Sequence, residues 1–181
     1  MHFIVTRFRF FIICFILFLI HTQSFGQQKE SWKTINNDTF SIQFPPDWTL
    51  EETVTYGTRF ILFAPQQDEE NDFSENLNLV MENLNGRYVT LNAYMDNTET
   101  QLEEYITDLK MLEDKRVTIG NDEYHQLVYK GTSGKRKLIF EKRFWVRSKF
   151  AYVLTFTSQE STYDSYRKAA EEIMDTFNPI K

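Results

Sequence analysis

Cysteine is almost absent from this chain of 181 residues. The single one, Cys14, stands inside an apolar run near the start. No intramolecular disulfide can form, and thiolate metal sites and cysteine nucleophiles are excluded from everything downstream. Histidine is nearly as scarce: His2 and His21 also belong to the opening stretch, so His125 stands alone in the remainder. A Ser-His-acid arrangement would have to use His125, and no G-x-S-x-G elbow supplies its serine. A zinc site around one histidine without cysteine is short of ligands. An excess of positive charge is missing too. With 20 basic against 26 acidic residues and a net charge of -6, the chain has no general attraction to phosphate backbones or anionic lipid, which argues against nucleic-acid binding. No internal repeat or Gly/Pro-rich linker divides it.

What is present begins with a leader. Arg7 and Arg9 precede the unbroken apolar run Phe10 to Ile20, followed by the polar, small stretch "HTQSFGQQ". Ser24 and Gly26 fit a small-x-small cleavage site, so residues 1–26 are expected to be a signal peptide and 27–181 a single domain. The apolar run is short of the roughly 20 residues that span a bilayer, so no stable membrane span is expected after cleavage. The expected destination is the periplasm or the exterior. Cys14 lies within the apolar run, so it is not a lipid-modified mature residue. The exported domain then has no cysteine, and packing alone must hold it together.

The rest alternates between two periods. In "DTFSIQFPPDW", Phe40, Ile42 and Phe44 face one way and Ser41 and Gln43 the other, which is a strand with one buried face. Pro45 and Pro46 end it. "RFILF" at 59–63 is apolar on both faces, as in a strand that is central or covered twice. Asn76 to Glu82 alternates again, and Asn85-Gly86 signals a turn. Residues 91–112 change to spacings of three and four through Leu91, Met95, Leu102, Tyr105, Ile106, Leu109 and Leu112, predicting an amphipathic helix. An antiparallel run follows from Val117 to Thr157, turning at "GTSGK" and at Ser148-Lys149. A second helix closes the chain, with Ser161 or Thr162 as its cap and Tyr163, Tyr166, Ala170, Ile173, Met174 and Phe177 as its buried stripe. Strands, helix, antiparallel run, helix is an α+β order. The 16% aromatic content supplies much of the buried area.

Several elements resemble the PsbP-like family, whose fold is shared with Mog1. Phe44, Pro45 and Trp48 match the family's opening FP-x-x-W strand. Tyr152, Leu154, Thr155, Phe156, Tyr166 and Phe177 match its closing strand and helix. The resemblance covers residues 32–178 and implies an α-β-α sandwich around a central antiparallel sheet. It also implies a mostly non-catalytic role, since known members assist photosystem assembly or bind a small GTPase. The matching positions are core positions and carry no chemistry of their own.

Four groups of residues are candidates for a site. Lys135, Arg136 and Lys137 form a positive hairpin tip on an acidic protein, suited to an acidic partner. The P-loop alternative fails, because two residues rather than four separate the glycines of "GTSGK". Glu141, Arg143, Trp145 and Arg147 alternate on one strand face, either as charges covered by a helix or as the lining of a groove. Asp68, Glu69, Glu70, Asp72 and Glu75 crowd one acidic segment, so Asp68, Glu70 and Asp72 are weak calcium candidates, although the D-x-D-x-D-G spacing is missing. Asn37-Asp38-Thr39 matches a glycosylation acceptor.

The function expected from this inventory is an exported, non-enzymatic domain. It would bind another envelope or extracellular protein or support an assembly, and would need no cofactor. Two alternatives stay open: a small-molecule or lipid carrier with a pocket between helix 91–112 and the sheet, and a hydrolase using paired carboxylates such as Glu82 and Glu141.

Overall fold

The computed structural model describes residues 31–52, 55–66, 72–120 and 122–180. The expected leader therefore lies outside the described residues, as do Asp68 and Glu70. In chain order the elements are β1 (Lys33–Asn36), β2 (Phe40–Phe44), β3 (Thr49–Glu51), β4 (Thr58–Phe63), β5 (Asn76–Asn83), α1 (Leu91–Tyr105), β6 (Thr107–Ile119), β7 (Asp122–Ser133), β8 (Arg136–Arg147), β9 (Phe150–Gln159), α2 (Tyr163–Met174) and β10 (Asn178–Pro179).

Seven strands form one antiparallel sheet in the order β3-β4-β5-β9-β8-β7-β6, and β1-β2-β10 form a small second sheet. Alternation along the strands fixes what covers each face. On one face Phe60, Leu77, Trp145, Tyr152 and Phe156 pack against Ile42 and Phe44 of the small sheet and against Tyr166 and Ile173 of α2. On the other, Leu127, Tyr129 and Phe144 pack under Leu91, Met95 and Leu102 of α1. The result is the expected α+β sandwich, with a helix on each side of a large antiparallel sheet.

The two prolines after β2 have a local use. Trp48 N–H donates to the Pro45 carbonyl at 3.2 Å, and this turn folds Trp48 into the core at 2% exposure. Asn37 closes the β1–β2 turn, its side-chain oxygen accepting from the backbone N–H groups of Thr39 and Phe40 and from the Thr39 hydroxyl. β4 is an interior strand, with Phe60 and Leu62 buried and Ile61 and Phe63 half-buried.

Three sequence expectations need correction. The first helix stops at Tyr105, not at 112. Ile106 takes an extended conformation and Asp108 a left-handed one (φ 54°). The apolar spacing continues to Leu112 because β6 is bulged, with register shifts between Thr107 and Lys110 and between Met111 and Glu113. Extra residues on a strand imitate a helical repeat. Tyr105 and Leu112, placed on the buried stripe by that pattern, are exposed. Thr162 precedes α2 but makes no side-chain cap; its hydroxyl donates instead to Glu75 at 2.5 Å. Glu75 accordingly leaves the solvated acidic segment and is buried.

Candidate functional site

β8 presents Glu141, Arg143, Trp145 and Arg147 to the α2 side of the sheet, opposite to Phe140, Phe144 and Val146. The four do not form one open row. Glu141 and Arg143 are buried at 1% and 5% exposure. The Arg143 guanidinium donates to Asp175, the residue that ends α2, at 2.7 Å and to Glu141 at 3.4 Å. It also lies 5.3 Å from the Tyr124 ring centre. Glu141 Oε2 and Arg143 Nε are buried without a hydrogen-bond partner. Burial pushes the Glu141 carboxyl above its ordinary range, and Arg143 pulls it only part of the way back. Trp145 is wedged between Tyr124 and Phe177, with ring centres 5.0 and 4.9 Å away. Arg147 reaches the β6–β7 turn, where it pairs with Asp122 and donates to the Glu123 carbonyl at 3.0 Å.

Beside the end of α2 lies a groove of about 390 Å³ lined by Ile119, Asp122, Tyr124, Arg143, Trp145 and Phe177. Ile119, the last residue of β6, borders it. That strand runs for 13 residues, with β7 on one side and, among the described residues, no strand on the other. Glu113, Lys115, Val117 and Ile119 face the α2 side with their β7 partners Val128, Gln126, Tyr124 and Asp122; Asp114 and Arg116 face the α1 side with Leu127 and His125. Ile119 is 65% exposed, and Met111 and Leu112 are exposed as well. Sequence reasoning missed this edge because residues 107–112 share the helix period. The available signal was the stretch that follows, in which two acids and two bases lead into the β-branched Val117, Thr118 and Ile119.

The hairpin tip meets Asp72, the described end of the acidic segment. Arg136 donates to Asp72 at 2.7 Å and lies over the Phe73 ring. Lys137 is exposed beside Glu160, which pairs with Lys130. Lys135 is exposed in the turn. Asp72, the described member of the calcium candidates, is thus engaged by a cation, and among the described residues no group of three or more His, Cys, Asp or Glu is placed to hold a metal ion. His125 sits under α1, its Nε2 2.7 Å from Asp114. The α1–sheet interface proposed for a carrier is filled by Leu91, Met95 and Leu102 against Leu127, Tyr129 and Phe144. Glu82 bonds Tyr94 of α1 at 3.0 Å, whereas Glu141 lies on the α2 face, so that carboxylate pair is separated by the sheet.

Comparison with known proteins agrees with this geometry. The family profile described as "PsbP-like protein" matches residues 20–178. No curated protein sequence matches the chain. Among solved structures, the cyanobacterial PsbP of Synechocystis sp. PCC 6803 is similar at 12% identity and a TM-score of 0.58, covering 85% of this chain and 95% of that one. LpqN of Mycobacterium tuberculosis, described as involved in cell envelope biogenesis, is similar at 11% identity and a TM-score of 0.64, covering 82% and 90%. A Pseudomonas aeruginosa protein of unknown function, described as a putative regulator, is similar at 13% identity and a TM-score of 0.58, covering 80% and 94%. At these identities the likeness is one of fold.

Proposed function

This chain belongs to the PsbP-like protein family, with the sandwich fold shared by Mog1, and we propose that it is an exported, non-enzymatic domain that binds another envelope protein through the β6 edge and the groove beside it. The leader pattern of residues 1–26 supports export, and the description of LpqN as an envelope-biogenesis protein supports an envelope setting. No helix among the described residues is long and apolar enough to cross a membrane.

The observation that carries this reading is where the exposed apolar side chains lie in the fold. Of the six large apolar side chains exposed among the described residues, Tyr105, Met111, Leu112 and Ile119 lie on or immediately before β6. Exposed apolar groups spaced along an unpaired strand edge suit strand addition by a partner, in which backbone hydrogen bonds give affinity and side chains give selectivity. Affinity capture from the native envelope fraction tests it. One protein is expected to be recovered reproducibly with the unmodified chain, lost with Met111→Asp and Ile119→Asp together, and kept with Tyr88→Asp. Equal recovery with all three chains would contradict the assignment to β6.

A further inference from the structure

We propose that the protein has a small-molecule site between the β1–β2 turn and β4, toward the end of the large sheet away from β6. The ligand it suits is an apolar zwitterion of the α-amino acid type. Its carboxylate would meet Arg59, its ammonium Asp38 and Glu52, and its side chain Ile35 and Phe150.

The backbone brings Arg59 into place. Adjacent residues of a regular strand point to opposite faces, yet Arg59 and Phe60 line one pocket. The register of β4 on β5 accounts for this. Thr58 pairs with Val80 and Phe60 with Leu79, so β4 advances two residues while β5 advances one. Arg59 is the extra residue of a bulge, and bulges re-aim side chains. Gly57 leads into it at φ 86°, and the Met81 N–H donates to the Gly57 carbonyl at 2.9 Å. A Cβ at Gly57 would stand 3.0 Å from the Met81 carbonyl oxygen, so the local backbone has little room to straighten.

The pocket measures about 380 Å³, within the range of small-ligand sites. Its apolar lining includes the half-buried Ile35 and Phe150. Among the described residues no ion pair or hydrogen bond holds the Arg59 guanidinium, and its Nε is buried without a partner. Folded proteins seldom leave buried polar groups unsatisfied, and the guanidinium fork matches a carboxylate with two parallel hydrogen bonds. The pocket is not a plain anion site, however. Asp38 and Glu52 line it as well, both exposed and neither paired with Arg59. A simple anion would gain Arg59 and face two carboxylates. A simple cation would gain the carboxylates and face Arg59. A ligand with both charges on an apolar body complements all three charged groups of the lining.

Three compounds sharing one phenyl ring test the proposal: L-phenylalanine, 3-phenylpropanoate, which lacks the ammonium, and 2-phenylethylamine, which lacks the carboxylate. Each is titrated against the purified protein while backbone amide resonances are followed by NMR. L-phenylalanine should give saturable shifts centred on residues 37–40, 58–60 and 150, at a concentration about tenfold lower than either analogue. Arg59→Gln should weaken L-phenylalanine to the level of 2-phenylethylamine. Asp38→Asn with Glu52→Gln should weaken it to the level of 3-phenylpropanoate. Arg59 has no partner in the fold to lose, so Arg59→Gln should leave the melting temperature nearly unchanged. Equal binding of the three compounds, or tighter binding of either analogue, would overturn the proposal. So would undiminished binding of L-phenylalanine by Arg59→Gln, or the lack of a saturable shift at these residues in the unmodified protein.

Discussion

Arg136 at the tip of the β7–β8 hairpin and Asp72 ahead of β5 stand 2.7 Å apart. One residue of the most positive stretch of the sequence is therefore paired with one residue of the most negative. Both side chains are largely exposed, and exposed ion pairs contribute about 0–1 kcal/mol and weaken with salt. Asp72→Asn should lower stability by less than about 1 kcal/mol at low ionic strength and by nearly nothing in high salt. Arg136→Ala should cost somewhat more, because its guanidinium also covers the Phe73 ring at 5.7 Å. Urea titrations of both single variants and the double variant at two salt concentrations give the coupling directly.

Glu141 makes stability depend on pH in an unusual direction. Its carboxyl is raised above the ordinary value chiefly by burial. An acid with a raised folded-state value favours folding when protonated. Its favourable contribution is present below the ordinary carboxylate range and is lost as pH climbs through the folded value. Glu141→Gln keeps the shape and removes the titration. The variant should gain stability relative to the unmodified chain as pH rises from the carboxylate range to neutrality. Melting temperatures at matched pH values check this, and parallel curves for the two proteins would contradict it.

Phe177 is the meeting point of the aromatic core. Its ring centre lies 6.0 Å from Phe40, 4.9 Å from Trp145 and 6.1 Å from Tyr152, tying both sheets to the chain beyond α2. Phe177→Ala should cost about 3–5 kcal/mol, measured by denaturant unfolding. Near-ultraviolet circular dichroism should fall with it, because Trp145 loses a wall.

Gly131 marks a crossing where no side chain fits. A Cβ there would stand 2.3 Å from a methyl of Ile106 and 2.8 Å from the Thr107 carbonyl oxygen. The methyl can swing away, but the carbonyl is backbone at the start of β6. Gly131→Ala should therefore cost about 1–3 kcal/mol. Because the strain falls at the start of β6, amide exchange over residues 106–110 should rise more than in β9.

The sequence made the interior far more legible than the surface. Phe40, Ile42 and Phe44, Leu77 and Leu79, and the α2 stripe all show their period plainly, because burial on one face forces apolar residues to recur at fixed intervals. The β8 row Glu141, Arg143, Trp145, Arg147 was readable as one face for the same reason. Which of its members are buried was not, because that depends on where α2 ends and brings in Asp175. The β6 edge was hidden by its bulges, which carried the helical spacing of α1 past Tyr105. The contact of Arg136 with Asp72 joins residues far apart in the chain, and no local pattern encodes it.

Site-specific photocrosslinking in the native host tests the central claim most directly. A photoreactive residue at Ile119 on β6 is compared with one at Thr49 on β3, the strand at the opposite edge of the sheet. A discrete, reproducible adduct of one mass from position 119, and none from position 49, is the predicted result. Adducts from position 49 alone, or a diffuse smear indistinguishable between the two positions, would contradict the assignment of β6 as the partner-binding edge.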